Sequence, residues 1–283
     1  MRKILIPIRG DGKGDNVIAH AAALARRMKV HVQISHCRPR AQDLLPYGVP
    51  MHKTLKALML RQINDLADQE ELGLREEVSE LCKKLKLKMS NAPDKKSATA
   101  DFTEEAGRQV DVIRHHGRLA SLIAVAKPDR DQNLGTNTLK AALFHTGRPV
   151  LMCPQQDNPP DVIGAHIAIA WNGSLEATRA VAMSKSTISQ ADKVTILTAG
   201  EEPNTPSADE LAEYLSHWGI TAEIEKFKKS KIVAKDLLAL SAKLGADLLV
   251  MGAYGDSHER ETLFGGNTQY IVDHANMPVI LVH

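Results

Sequence analysis

Only three cysteines, Cys37, Cys82 and Cys153, occur in the 283 residues. They are far apart, odd in number and form no Cys-x-x-Cys pair, which argues against a disulfide framework or a zinc knuckle and fits a reducing compartment, the cytoplasm. No apolar run approaches the roughly 20 residues that a membrane-crossing helix needs. The opening Met1-Arg-Lys-Ile-Leu-Ile-Pro-Ile has the charge of a secretory leader but not its apolar length, and reads as a buried strand. Charge of one sign is scarce as well: 36 Lys and Arg against 34 Asp and Glu leave a formal net charge of +2, too little for the whole chain to attract nucleic acid. Neither nucleic acid nor membrane is an expected partner. The basic run Lys83-Lys84-Leu85-Lys86-Leu87-Lys88 reads as a solvated helix end passing into a strand.

Motifs for chemistry are equally sparse. There is no Gly-x-Ser-x-Gly elbow, and no residue stands out as a general base, so slow nucleotide hydrolysis is the most that is expected. The 12 histidines are dispersed, apart from His115-His116 near a helix end, and none form a His-x3-His pair, so no metal site is expected. The segment Gly10-Asp-Gly-Lys-Gly14 has neither the P-loop nor the Rossmann glycine spacing and reads as a turn.

What the chain does have is an internal repeat. Gly135-Thr136-Asn137-Thr138, followed by Arg148-Pro149-Val150-Leu151-Met152, is matched by Gly265-Gly266-Asn267-Thr268, followed by Met277-Pro278-Val279-Ile280-Leu281. Each half also opens on a short apolar strand and a glycine turn, Ile4 to Ile8 before Arg9-Gly10 and Ile167 to Trp171 before Asn172-Gly173-Ser174. Between these marks the second half reads β-α-β-α-β-α-β-α-β, with near-continuous apolar runs at Ala246 to Met251 and Val279 to Val282 that suit a parallel sheet covered on both faces. The first half follows the same order but carries a long helical stretch, about Met51 to Lys86, with Gly73 as its expected interruption. The segment Pro154-Gln-Gln-Asp-Asn-Pro-Pro-Asp161 reads as a linker. The expected domains are thus residues 1–153 and 163–283, joined by 154–162.

In a doubly wound sheet, ligands bind beyond the carboxyl ends of the strands, where the strand order reverses. There the second half has Gly252-Ala253-Tyr254-Gly255, then nine residues, then Gly265-Gly266 at the entrance to a helix. Glycines admit a ligand close to the backbone, and a helix N-terminus offers free N–H groups to phosphate. This Gly-x2-Gly-x9-Gly order, ahead of the strand Met277 to Val282, resembles the universal stress protein family. The resemblance covers both halves and implies a tandem member: two flavodoxin-like, Rossmann-like α/β sheets of strand order 3-2-1-4-5. It also implies an adenine nucleotide of the ATP type. Gly252, Gly255, Gly265, Gly266 and Asn267 fall on the ribose-phosphate side, and Trp171, Asn172 and Ala199 on the base side.

Two departures stand out. Gly266 occupies the place where the nucleotide-binding pattern has Ser or Thr, and Asn172 that of an acidic residue. Asp256, Glu259 and Glu261 add carboxylates to the loop, which would repel phosphate unless a cation such as magnesium bridges them. The first half has Ala126-Lys127-Pro128-Asp129 in place of the glycines and five residues rather than nine before Gly135, so a pseudo-site is expected there. The resemblance further implies pairing through the final strands, Val150 to Cys153 with Val279 to Val282. Fusion favours this internal pseudo-dimer over the alternative, a homodimer. The expected function is stress response or regulation through a protein partner, with a nucleotide-independent scaffold as the alternative.

Overall fold

A computed structural model describes residues 1–8, 14–45, 51–94, 96–130, 132, 134–201, 204–255 and 266–283. The first half runs β1 (Lys3–Ile8), α1 (Gly14–Met28), β2 (His31–Arg38), a 3-10 turn (Ala41–Leu44), α2 (Lys53–Lys84), β3 (Lys88–Met89), β4 (Thr99–Ala106), α3 (Gln109–Gly117), β5 (Leu122–Ala126), α4 (Thr136–Thr146) and β6 (Val150–Cys153). The second runs β7 (His166–Ala170), α5 (Leu175–Ile188), β8 (Lys193–Thr198), α6 (Ala208–Ser216), β9 (Ala222–Lys226), α7 (Val233–Lys243), β10 (Leu248–Gly252), α8 (Gly266–His274) and β11 (Val279–Val282).

Local chemistry sets several boundaries. Ser174 Oγ accepts from the Ala177 N–H at the start of α5, and Ser207 with Glu210 forms a reciprocal capping box on α6. Gly147, left-handed at φ 65°, ends α4. Helix α2 is a correction to the sequence reading, because it continues through Gly73 without a break. One exposed glycine costs a helix only about 1 kcal/mol relative to Ala, and the Leu, Glu, Gln and Lys around it are strong helix formers.

Each half shows the expected 3-2-1-4-5 order, β4-β2-β1-β5-β6 and β9-β8-β7-β10-β11, with the two-residue β3 added outside β4. The halves do not stop at their own edges. β6 and β11 pair antiparallel, Val279 opposite Met152, Ile280 opposite Leu151 and Leu281 opposite Val150, making one sheet of 11 strands. Because the strands within each half are parallel, this join sends the carboxyl ends of the two sets to opposite rims of the sheet.

The core follows the faces of this sheet and not the halves. One apolar layer packs α1 and the end of α2 together with α5 and α6. The other packs α3 and α4 together with α7 and α8. Both layers cross the seam. The segment after β6 is also fastened down: Asn16 Nδ2 donates to Pro154 O at 2.7 Å, and Gln156 Nε2 donates to Asn276 O at 2.9 Å. Arg26 donates to Asp161 O at 2.7 Å. Among the described residues no helix is long and apolar enough to cross a membrane.

Candidate functional site

In the second half β7 is flanked by β8 and β10, so the chain reverses its strand order between β7 and β10, and the loops leaving these strands frame the crevice. At the end of β7, Trp171 N still donates to Leu197 O at 2.9 Å. Its ring turns inward, 5% exposed, and the indole N–H donates to Pro206 O at 3.0 Å. Asn172 is exposed, but its Oδ1 accepts from Ser174 N at 3.2 Å and shapes the entry to α5. Gly173 is required twice over: its φ is 75°, and a Cβ there would lie 2.6 Å from Thr205 Cβ and 2.9 Å from Pro206 O. The Thr205-Pro206 segment therefore lies directly on the first turn. Ala199, half-buried, follows β8 and leads to Gly200, whose N–H meets Thr198 Oγ1 at 3.1 Å.

The glycines have distinct duties. A Cβ on Gly252 would come within 2.6 Å of Glu176 C and 2.7 Å of Ala177 N, so this glycine lets β10 press against the first turn of α5. Gly255 is exposed, and the nearest atom to a Cβ there would be Glu176 Oε2 at 3.4 Å. Gly266, exposed at the start of α8, has none of the described residues within 4 Å of a Cβ position. Asn267 Oδ1 accepts from Ala234 N at 3.2 Å and caps α7, whose own N-cap residue Ile232 makes no side-chain cap. Gly265, with Asp256, Glu259 and Glu261, lies outside the described residues. Gly252 and Gly255 thus sit against α5, while Gly266 and Asn267 sit on the first turn of α8.

Sequence reasoning did not single out Glu176, Tyr254 or Thr268. Glu176 reads in sequence as an acidic residue favouring a helix N-terminus; only the fold brings its carboxylate to Gly255. Tyr254 holds φ 56° and donates its N–H to Thr268 Oγ1 at 3.3 Å, tying the exit of β10 to α8. Its ring, 5% exposed, lies 5.2 Å from that of Phe144 across the seam. Burial pushes its phenol up to about 12, helped by the Asp273 carboxylate and opposed by Arg130.

The equivalent loop of the first half is closed. Asp129 and Leu134 exchange backbone hydrogen bonds of 3.0 and 2.9 Å, and Gly135, at φ 82°, would bring a Cβ within 3.3 Å of Pro128 Cα. Lys127 Nζ donates to Ala275 O at 3.1 Å, just past the C-terminus of α8, and Arg130 pairs with Asp273 at 2.9 Å. Desolvation lowers the Lys127 pKa despite the Asp273 carboxylate. The cleft bounded by Pro7, Lys127 and Gly135 measures ≈ 60 Å³, against the roughly 300 Å³ or more of ordinary ligand pockets.

Among the described residues no group of three His, Cys, Asp or Glu could hold a metal ion. His116 Nε2 lies 2.9 Å from Glu105 Oε1 instead.

Residues 219–283 match the model of the Universal stress protein family. No curated protein matches the chain in sequence. In fold, the whole chain is similar to a universal stress protein from Archaeoglobus fulgidus DSM 4304, with a TM-score of 0.71 over 99% of this chain and 95% of that one at 15% identity. It is also similar to a functionally unknown protein from Pseudomonas aeruginosa PAO1, with a TM-score of 0.53 over 100% and 92% at 17% identity. The resemblance read from the glycine spacing is borne out in the sequence of the C-terminal segment and in the fold of both halves.

Proposed function

We propose that this chain of universal stress protein type is a stress-response or regulatory protein that binds an adenine nucleotide of the ATP type in its second half. Its domains are residues 1–153 and 163–283, with 154–162 between them, joined as an internal pseudo-dimer and acting in the cytoplasm. The observation that supports this reading most is the convergence at one switch point of three features: the end of β7, the glycine exit of β10, and the exposed first turn of α8. Ribose and phosphates would lie along Gly255, Gly265, Gly266 and Asn267, with Gly252 shaping the wall behind them. The base would lie near Trp171, Asn172 and Ala199, held by backbone, since the Trp171 and Asn172 side chains are engaged elsewhere.

A magnesium ion fits on chemical grounds. Glu176 supplies a hard carboxylate oxygen beside Gly255, and Mg²⁺ is commonly held by one or two carboxylates plus phosphate oxygens and water. The cation would neutralise charge between that carboxylate and the phosphates. Nucleotide occupancy would alter binding of a protein partner.

A second reading, a nucleotide-independent scaffold, is favoured by the same carboxylate. Glu176 puts negative charge where phosphate would approach, and Gly266 lacks the hydroxyl. Mass spectrometry of ligand released from freshly purified protein, followed by calorimetric titration with ATP and Mg²⁺, separates the two. Near-stoichiometric adenine nucleotide supports the first; absence of ligand together with no binding heat overturns it.

A further inference from the structure

The end of α4 belongs to the first half of the chain but stands at the ligand side of the second. β6 runs antiparallel to β11, with Val150 opposite Leu281, so the helix that leads into β6 brings its last turn to the carboxyl ends of β11 and of β10 beside it. Phe144 occupies that turn and is 38% exposed. Its ring lies 5.2 Å from that of Tyr254 and 4.9 Å, nearly perpendicular, from the ring of His283. His283 in turn donates from Nδ1 to Ala253 O at 3.2 Å, since a carbonyl can only accept. The two residues between Gly252 and Gly255 are therefore both tied to one side chain of the other half, Tyr254 through its ring and Ala253 by way of His283.

Tyr254 requires such a tie. At φ 56° it holds the left-handed region, which is costly for any residue with a Cβ and seldom entered by a bulky one, so the contacts around it must keep it there. The direction in which Gly255 is presented depends on this residue. Counted from the ends of β5 and β10, Ala126 and Gly252, the place of Tyr254 is taken in the first half by Pro128; counted from Gly135 and Gly265, the place of Phe144 is taken in the second half by His274. His274 stacks on Tyr270 of its own helix, 4.0 Å away, and Lys127 and Arg130 cross the seam there instead. Among the described residues, aromatic contacts cross the seam only beside the loop that carries the glycines. We propose that Phe144 is a positioning residue for the nucleotide of the second half: through Tyr254 it holds Gly255 in the conformation that receives ribose and phosphate, so that the first half completes the site of its neighbour. This rests on the nucleotide reading above and adds to it a residue from outside the binding half.

Calorimetric titration of the full chain with ATP and Mg²⁺ tests this. Phe144→Ala should weaken binding by roughly threefold to tenfold, the range that an aromatic pair accounts for, and Phe144→Tyr, which keeps the ring, should restore the parent affinity. Tyr254→Gly, which suits the left-handed backbone, should weaken binding as well, and adding Phe144→Ala to it should bring no further loss. A loss of stability alone would lower the melting temperature but would produce neither the rescue nor the non-additivity. Hydrogen exchange of residues 253–255 without nucleotide should quicken in Phe144→Ala and not in Phe144→Tyr. Equal affinity in Phe144→Ala and the parent, losses that add in the double variant, or unchanged exchange overturns the inference while the nucleotide reading stands. A parent chain that takes up no nucleotide overturns both.

Discussion

The loop after β5 and the loop after β10 hold equivalent places in their halves and end in opposite conditions. The first is knotted by the Asp129–Leu134 bridge, backed by Pro128, and pinned to the other half by Lys127 and Arg130. The second keeps bare glycines at 255 and 266, and of its described residues Tyr254 reaches the other half, through Phe144. Where basic side chains cross the seam the loop serves as a joint; where glycines stand, at 255 and 266, the chain is exposed.

The largest effect should come from breaking what the two regions share. Leu151 faces Ile280 across the seam, and both are buried, so Leu151→Ala should cost about 2–5 kcal/mol. Both tryptophans, Trp171 and Trp218, lie in the second half. In urea, their fluorescence should shift together with far-ultraviolet circular dichroism, although the change is in the first half; two separate transitions would show that the halves unfold independently.

Next comes the open loop itself. Gly255→Val should weaken nucleotide binding tenfold or more, about 1.4 kcal/mol, at an unchanged melting temperature, since among the described residues a carboxylate tip alone is near. Gly252→Val, facing backbone at 2.6 and 2.7 Å, should instead lower the melting temperature. Equal affinity in Gly255→Val and the parent would remove this loop from the site. A gain should follow from Gly266→Ser, which meets no steric obstacle among the described residues and places a hydroxyl on the first turn of α8. One hydrogen bond to a charged group is worth about 1.5–3 kcal/mol, so titration should show roughly tenfold tighter binding or better.

The smallest effect at neutral pH, and one confined to alkaline solution, belongs to Tyr254. Its folded pKa lies above the ordinary 10.0, near 12, so between those values the unfolded chain has lost a proton that the folded chain keeps. Stability therefore falls as pH rises through this window, by at most about 1.4 kcal/mol per pH unit. Denaturation at several alkaline pH values should show that slope in the parent and its loss in Tyr254→Phe.

Much of the fold was legible because its signals are local or repeated. The pairs Gly135-Thr136 and Gly265-Gly266, and the prolines 149 and 278, mark the same joints twice, and Ser174 announces α5 one residue before it begins. Gly73 misled because an isolated glycine is a weak breaker inside a strong helix. The site was less legible. The glycine spacing pointed to the crevice, yet Glu176 meets Gly255, and Lys127 meets Ala275, only through contacts between residues far apart in the chain. The engagement of Asn267 with α7 and of Trp171 with Pro206 is likewise a tertiary matter that spacing does not encode. Nor did any local pattern reveal that the two apolar layers run on across the seam.

The β6–β11 seam also bears on inheritance. In a dimer of identical chains, every substitution is made twice, and a change that spoils one site spoils both. Covalent joining through residues 154–162 gives each half its own record of change while the shared layers hold them in fixed one-to-one proportion. A half whose loop is closed, as the Asp129–Leu134 bridge closes that of the first, is then not discarded: the other half still needs its edge strand and its share of the core. Duplication followed by joining lets the two copies divide their duties without any loss of assembly.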